Sequence, residues 1–281
     1  MVLIKKLLAL GIFLVASHLV NAQEPWYVMY VEGTIKLKSS GEILKSGSQI
    51  TIGEKLVFET PEAFADVLTF SEGRKVLRMP KPEDKNKPTS EVVIFVKNIL
   101  APSEKTMGSR GEALNNIPDI QNHFGRETYL ILGGTTQVKI NPYALPMSDT
   151  FFFYVRYDYE GESIIKKLDF RGDTLILSKS TLFMIDNKTV DAALAKNLHL
   201  YYYNAKKEKS LPIALFSPIF PEDNKLKEEL DVMVSLLKKG GSPNKEIIKE
   251  AKTFLNQRYG HFYEENFSNW FCKHFRICQH L

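Results

Sequence analysis

The nine residues from Phe151 to Tyr159 constrain this chain more than any other segment. Seven of them are aromatic or β-branched. Such side chains lose freedom against the turns of a helix and pack well on a pleated surface. With a period of two, Phe151, Phe153, Val155, Tyr157 and Tyr159 share one face, and Arg156 and Asp158 fall on the other. An aromatic face of that size has to be covered. The economical solution is a second sheet laid over it, which makes a β-sandwich-like domain.

The neighbouring sequence supplies the other strands, over residues 127–220. Thr128 to Leu132, the pair Gly133–Gly134 and Thr135 to Ile140 read as a hairpin, because two glycines supply the positive φ angles of a tight turn. Glu160–Gly161 turns the aromatic strand into Ile164 to Phe170. Arg171, Gly172 and Asp173 turn that into Thr174 to Leu177. Leu198 to Tyr203 is a further strand.

A second β-rich stretch lies earlier, over residues 23–100. Short apolar runs there are each closed by Gly or Pro, with turn signals every 8 to 12 residues, as in small all-β domains. Thr34 to Lys38 alternates as a half-buried strand should. The run Val31 to Ile35 around Gly33, then Gly41 to Leu44, Gly47 to Ile50 and Gly53 to Leu56, resembles the FecR-like periplasmic domain. Thr60, Ala63, Ala65, Leu68 and the Gly73 turn before Val76–Leu77 continue the likeness. The resemblance implies a small envelope β-structure that relays a signal to a membrane partner. It covers about residues 28–79. Its motifs are turn glycines and strand apolars, so it speaks chiefly about fold.

Residues 80–90 are Pro, Lys, Glu and Asp with hardly an apolar side chain, and read as an exposed loop. Glu91 to Val96 is an apolar strand. Residues 101–126 read as a linker with one short helix near Glu112 to Asn122.

The tail, residues 221–281, switches to helical spacing. Leu226, Leu230, Met233, Val234 and Leu237 form one stripe, and Gly240–Gly241 ends it. Ile247, Ile248, Ala251, Phe254 and Leu255 form a second, closed by Gly260. Phe267, Trp270, Phe271 and Phe275 form a third. The last two read as a helical hairpin.

Residues 1–22 have the form of a secretory signal peptide. Lys5 and Lys6 precede ten apolar residues, and Val20, Asn21 and Ala22 make a cleavage site. The apolar core is shorter than the roughly 20 residues that span a bilayer. After cleavage no transmembrane anchor is expected, and the product is periplasmic or secreted. Both lysines leave with the leader, so the mature formal charge is two lower than the chain's +4. A nearly neutral chain without a basic block gives no reason to expect nucleic acid.

Candidate sites are few. The only cysteines are Cys272 and Cys278. Export and an even count favour a disulfide. Two unpaired thiols, or a zinc-type site with His274 and His280, are the alternatives. On a continuous helix, six residues span about 9 Å. Cα atoms more than about 7 Å apart cannot be bridged. A disulfide therefore requires the helix to break near Arg276. Arg171–Gly172–Asp173 matches an adhesion tripeptide but is equally a polar turn. Asn187 and Asn266 head glycosylation sequons. Gly108 to Gly111 could present backbone N–H groups to an anion. His199 alternates with Leu198 and Leu200, as a rim histidine would. Glu160 and Glu162 flank a turn and read as solvated.

No nucleophile, base and orienter stand in a recognisable pattern, and no cofactor is expected. Tyr201 and Tyr203 share one face of their strand, opposite Tyr202, and are the candidate binding surface. The expectation is an exported, mainly β protein of two small β domains with a helical C-terminal hairpin. It would act as a non-catalytic protein-binding or scaffolding module with an envelope protein as partner. A carbohydrate-binding protein, or an enzyme with a dispersed site between the β domains, is the alternative.

Overall fold

The computed structural model describes residues 24–51, 53–69, 73–78, 113–125 and 128–278. The expected leader, the loop 80–90, the strand 91–96, the Gly108–Gly111 turn and His280 lie outside these. The chain forms two compact units, Met1–Leu100 and Ala101–Leu281. It is mainly β with helices at the C-terminus.

In the first unit, β1 (Trp26–Glu32) is the centre of the sheet. It pairs antiparallel with β3 (Gln49–Ile50) and with β5 (Phe64–Thr69), and β6 (Gly73–Arg78) adds to β5. A separate ribbon joins β2 (Ile35–Leu37) to β4 (Leu56–Phe58). Val28, Ile35, Leu44, Ile50, Leu56, Phe58, Ala65, Val67 and Leu77 close one core between them. Gly33 is required at its turn. Its φ is +71°, and a Cβ there would lie 2.9 Å from the Cβ of Ala63.

In the second unit the aromatic strand β9 (Phe151–Tyr159) lies inside a four-stranded antiparallel sheet. The order is β10 (Glu162–Lys167), β9, β15 (Lys196–Asn204), β16 (Lys209–Leu215). Phe153, Val155 and Tyr157 from β9 and Leu198, Leu200 and Tyr202 from β15 point inward. Across from them stand Val138 of β8 (Thr135–Lys139) and Leu175 and Leu177 of β12 (Thr174–Ser178), all in one core. β11 (Asp169–Arg171) completes that second sheet. This is the sandwich-like layering that the aromatic strand demanded. The short helix α1 (Ile117–Phe124) is capped by Asn116, whose side chain accepts from Asp119 N. It buries Ile120, His123 and Phe124, so part of the expected linker belongs to the core. A short helix α2 (Lys179–Leu182) and a two-stranded ribbon, β13 (Met184–Ile185) with β14 (Lys188–Thr189), lie between β12 and β15.

Two expectations need correcting. Thr128–Leu132 and Thr135–Ile140 do not form a hairpin. β7 (Thr128–Leu130) is the middle strand of a small parallel sheet, between β17 (Ser217–Ile219) and β18 (His261–Phe262). β8 pairs instead with β12. The physical reason is burial: Tyr129, Leu130, Ile131 and Leu132 are all at most 1% exposed. A strand buried on both faces shows a continuous apolar run without alternation, as parallel strands do.

The C-terminal helices are not a plain hairpin either. α3 (Asp223–Lys239) is followed by α4 (Asn244–Tyr259), then by β18, and only then by α5 (Glu264–Phe275). Because β18 pairs with β7, residues 221–281 are stitched into the same unit as the strands. Gly260 makes this possible. Its φ is +93°, and a Cβ there would overlap Thr128 Oγ1 and carbonyl oxygen. The three expected stripes face inward, except that Leu236 is buried in the first where Leu237 was expected, and Leu237 is half-buried. Leu226, Leu230, Ile247, Phe254, Phe267 and Phe271 are each at most 1% exposed. Among the described residues no helix is long and apolar enough to cross a membrane.

Candidate functional site

The antiparallel register of the four-stranded sheet decides which side chains meet on its outer face. Directly paired residues share a face. Ile165 pairs with Arg156, Arg156 with His199, and His199 with Leu215. One row therefore crosses all four strands, and both its ends are exposed apolar residues: Ile165 at 63% and Leu215 at 43%. The next row is Lys167, Tyr154, Tyr201 and Pro212, and beyond it Phe152, Tyr203 and Ser210 stand together. With strands about 4.8 Å apart and alternate residues about 6.8 Å apart, the patch measures roughly 14 Å each way.

Side-chain contacts hold this face in order. Tyr154 and Tyr201 stack with their ring planes 8° apart and centroids 5.0 Å apart. Phe152 and Tyr203 follow at 5.3 Å, tilted. The Tyr154 hydroxyl donates to Ser210 Oγ at 3.0 Å. Lys167 Nζ sits 4.5 Å from the Phe152 ring centroid and 3.3 Å from Asp149. Arg156 Nε donates to Ser163 Oγ at 2.8 Å. Asp158 accepts from Asn197 Nδ2 at 2.8 Å.

Tyr201 and Tyr203 thus lie on the outer face, half-buried by each other's neighbours. Tyr202 is turned inward, 9% exposed, and its hydroxyl donates to the Pro146 carbonyl at 2.7 Å. Sequence reasoning passed over Phe152 and Tyr154. Their signal was the same period of two that placed Arg156 and Asp158 outward.

Other candidates have different surroundings. Cys272 and Cys278 are joined by a disulfide with Cα atoms 4.5 Å apart. α5 ends at Phe275, and Arg276 takes a left-handed φ of 58°, which turns the chain back toward the helix. The thiols are consumed, so the zinc reading fails at its first requirement. Among the described residues no other group of His, Cys, Asp and Glu is gathered for a metal. Arg171, Gly172 and Asp173 are an exposed turn between β11 and β12. Asn266 is unavailable to a glycan. Its amide bonds to the backbone of Leu132 and Thr135, and Ser268 of its sequon is buried. Asn187 sits in an exposed turn with φ 63°. Glu160 and Glu162 flank an exposed turn.

The most perturbed histidine among the described residues is His123. It is 3% exposed, with Nε2 2.7 Å from the Tyr129 hydroxyl. The rings of Phe124, Tyr129, His261 and Tyr263 surround it at 5.0 to 5.6 Å. Burial, helped by the neighbouring His261, pushes its pKa down to about 3. Burial likewise pushes the Tyr129 hydroxyl far up. This is a neutral histidine locked in an aromatic cage. The cage is closed by rings, so it holds the fold where α1, β7 and β18 meet.

No family model matches the chain, and no curated protein matches it.

Proposed function

We propose that this is an exported, non-catalytic envelope protein that binds another protein through the outer face of the β10-β9-β15-β16 sheet. The observation that carries the reading is the cross-strand patch of Phe152, Tyr154, Tyr201 and Tyr203, ended by exposed Ile165 and Leu215. Interface centres are enriched in aromatic residues and arginine, and this patch holds both. Its area suits the apolar centre of an interface whose rim is polar. The disulfide fits an oxidising compartment. The leader of residues 1–22 and the FecR-like pattern of residues 28–79 point to the same place.

A carbohydrate-binding reading draws on the same aromatics, because sugars stack on exposed ring faces. Tyr154 and Tyr201, however, turn ring faces toward each other. That arrangement presents edges and hydroxyls, which suits a protein surface better.

The test is affinity capture from the envelope fraction with the mature protein and its Tyr201→Ala and Ile165→Asp variants side by side. A partner retained by the parent and lost with both variants supports the reading. A partner set unchanged by both variants removes this face from consideration.

A further inference from the structure

Resting on that reading, we infer that the partner segment is acidic, and that Arg156 clamps one of its carboxylates in the middle of the apolar patch. Arg156 stands on β9, an interior strand, and is exposed. Its row-mates are the aliphatic Ile165 and the ring of His199. Its one hydrogen bond uses Nε, on Ser163 Oγ. The two Nη groups are left to face solvent. Among the described residues no carboxylate forms an ion pair with Arg156.

Two other charged side chains near it already have partners of their own. Asp158, two residues along the same strand, is held by Asn197. Lys167 is held by Asp149 and lies over the Phe152 ring. Asp158 keeps its charge two residues away, but Arg156 forms no ion pair among the described residues, and its row runs through Ile165, His199 and Leu215. A guanidinium presents paired N–H groups in the geometry of a carboxylate. Once a partner covers it and excludes water, it gains more from a fixed anion than an exposed lysine would. The complementary ligand is a protein segment with Asp or Glu flanked by aliphatic residues. A neutral segment would cover Arg156 and leave it buried without a partner, which is strongly unfavourable. The same term rejects a basic segment.

The experiment uses the full mature chain, its Arg156→Gln and Tyr201→Ala variants, and three probes. These are an array of twelve-residue synthetic peptides with Glu, Gln or Lys at the centre of Leu/Ile flanks, the same array at high salt, and polygalacturonate as a carboxylated polysaccharide. The expected result is preference for the Glu series, about tenfold or more over Gln, weakened by salt. Arg156→Gln should abolish that preference, and Tyr201→Ala should weaken every series. Equal binding of Glu and Gln series, with Tyr201→Ala still weakening both, overturns the acidic partner but leaves the face intact. Binding of polygalacturonate in place of the peptides overturns the protein class. Peptide binding that ignores both variants, or no peptide binding, overturns the inference, and the envelope capture then judges the face by itself.

Discussion

Asn266 on α5 pairs with both backbone groups of Leu132. Its Oδ1 accepts from Leu132 N at 3.0 Å, and its Nδ2 donates to Leu132 O at 3.1 Å and to Thr135 O at 3.0 Å. The turn 132–134 lies where the chain steps from one sheet to another, so no strand partner is available there. One side-chain amide does the work of a ladder rung. Asn266→Ala removes three hydrogen bonds and leaves backbone groups in a partly buried place without partners. A loss of about 2–4 kcal/mol is expected, seen as a lower urea midpoint. A midpoint within experimental error of the parent would show that solvent replaces the amide at no cost.

His123 makes stability fall in acid. Its folded pKa, about 3, lies below the ordinary 6.5. The unfolded chain therefore binds the proton first, and stability is fully present above pH 6.5 and lost as the pH falls toward 3. At pH 5 the loss is about 2 kcal/mol, at 1.36 kcal/mol per pH unit. His261, also lowered by burial, adds in the same direction. Urea titrations at pH 7.5 and pH 5 should show the difference, and His123→Gln should reduce it. An acid sensitivity of the same size in His123→Gln would assign it to other groups.

Gly260→Ala should be among the most damaging substitutions in the second unit. The new Cβ would meet the Thr128 backbone, with the carbonyl carbon at 2.9 Å, at a φ of +93° that alanine rarely adopts. β18 would have to leave β7, and α5 would lose its anchor. A loss above about 3 kcal/mol is expected. Gly172→Ala, in an open turn with nothing near a Cβ, is the control. Equal effects of the two would point to backbone strain alone rather than to the Thr128 contact.

The Cys272–Cys278 disulfide closes a short loop and tucks Ile277 in at 3% exposure. By loop-closure entropy its removal costs about 2 kcal/mol. Reductant should lower the unfolding free energy of the parent by that amount, seen as a lower urea midpoint, and leave Cys272→Ser/Cys278→Ser unchanged. Parent and variant with the same midpoint under oxidising conditions would leave the bridge no stabilising role.

Some of this could be read directly from the residues. The inward set Phe153, Val155 and Tyr157 followed from period two, and the apolar stripes of α3, α4 and α5 followed from period 3.6. The same alternation made Tyr201 and Tyr203 legible as a pair facing away from Tyr202. Ile165 and Leu215 were not legible as ends of one row, because strand order and register depend on which strands pair.

The sequence by itself determined the longer strands and helices and which face of each is apolar, because those follow from local periodicity and side-chain shape; the short elements β13, β14, β17 and β18 were not legible in it. Tertiary structure alone decided the partners. It put β7 between β17 and β18, 89 and more residues away along the chain, as in the pairing of Thr128 with Ser217. It set Asn266 against Leu132, 134 residues away. It left Arg156 without an ion-pair partner among the described residues, in a row with Ile165 and His199. The reason is physical: pairing is selected by burial over the whole core, and no local pattern encodes which distant strand will complete it.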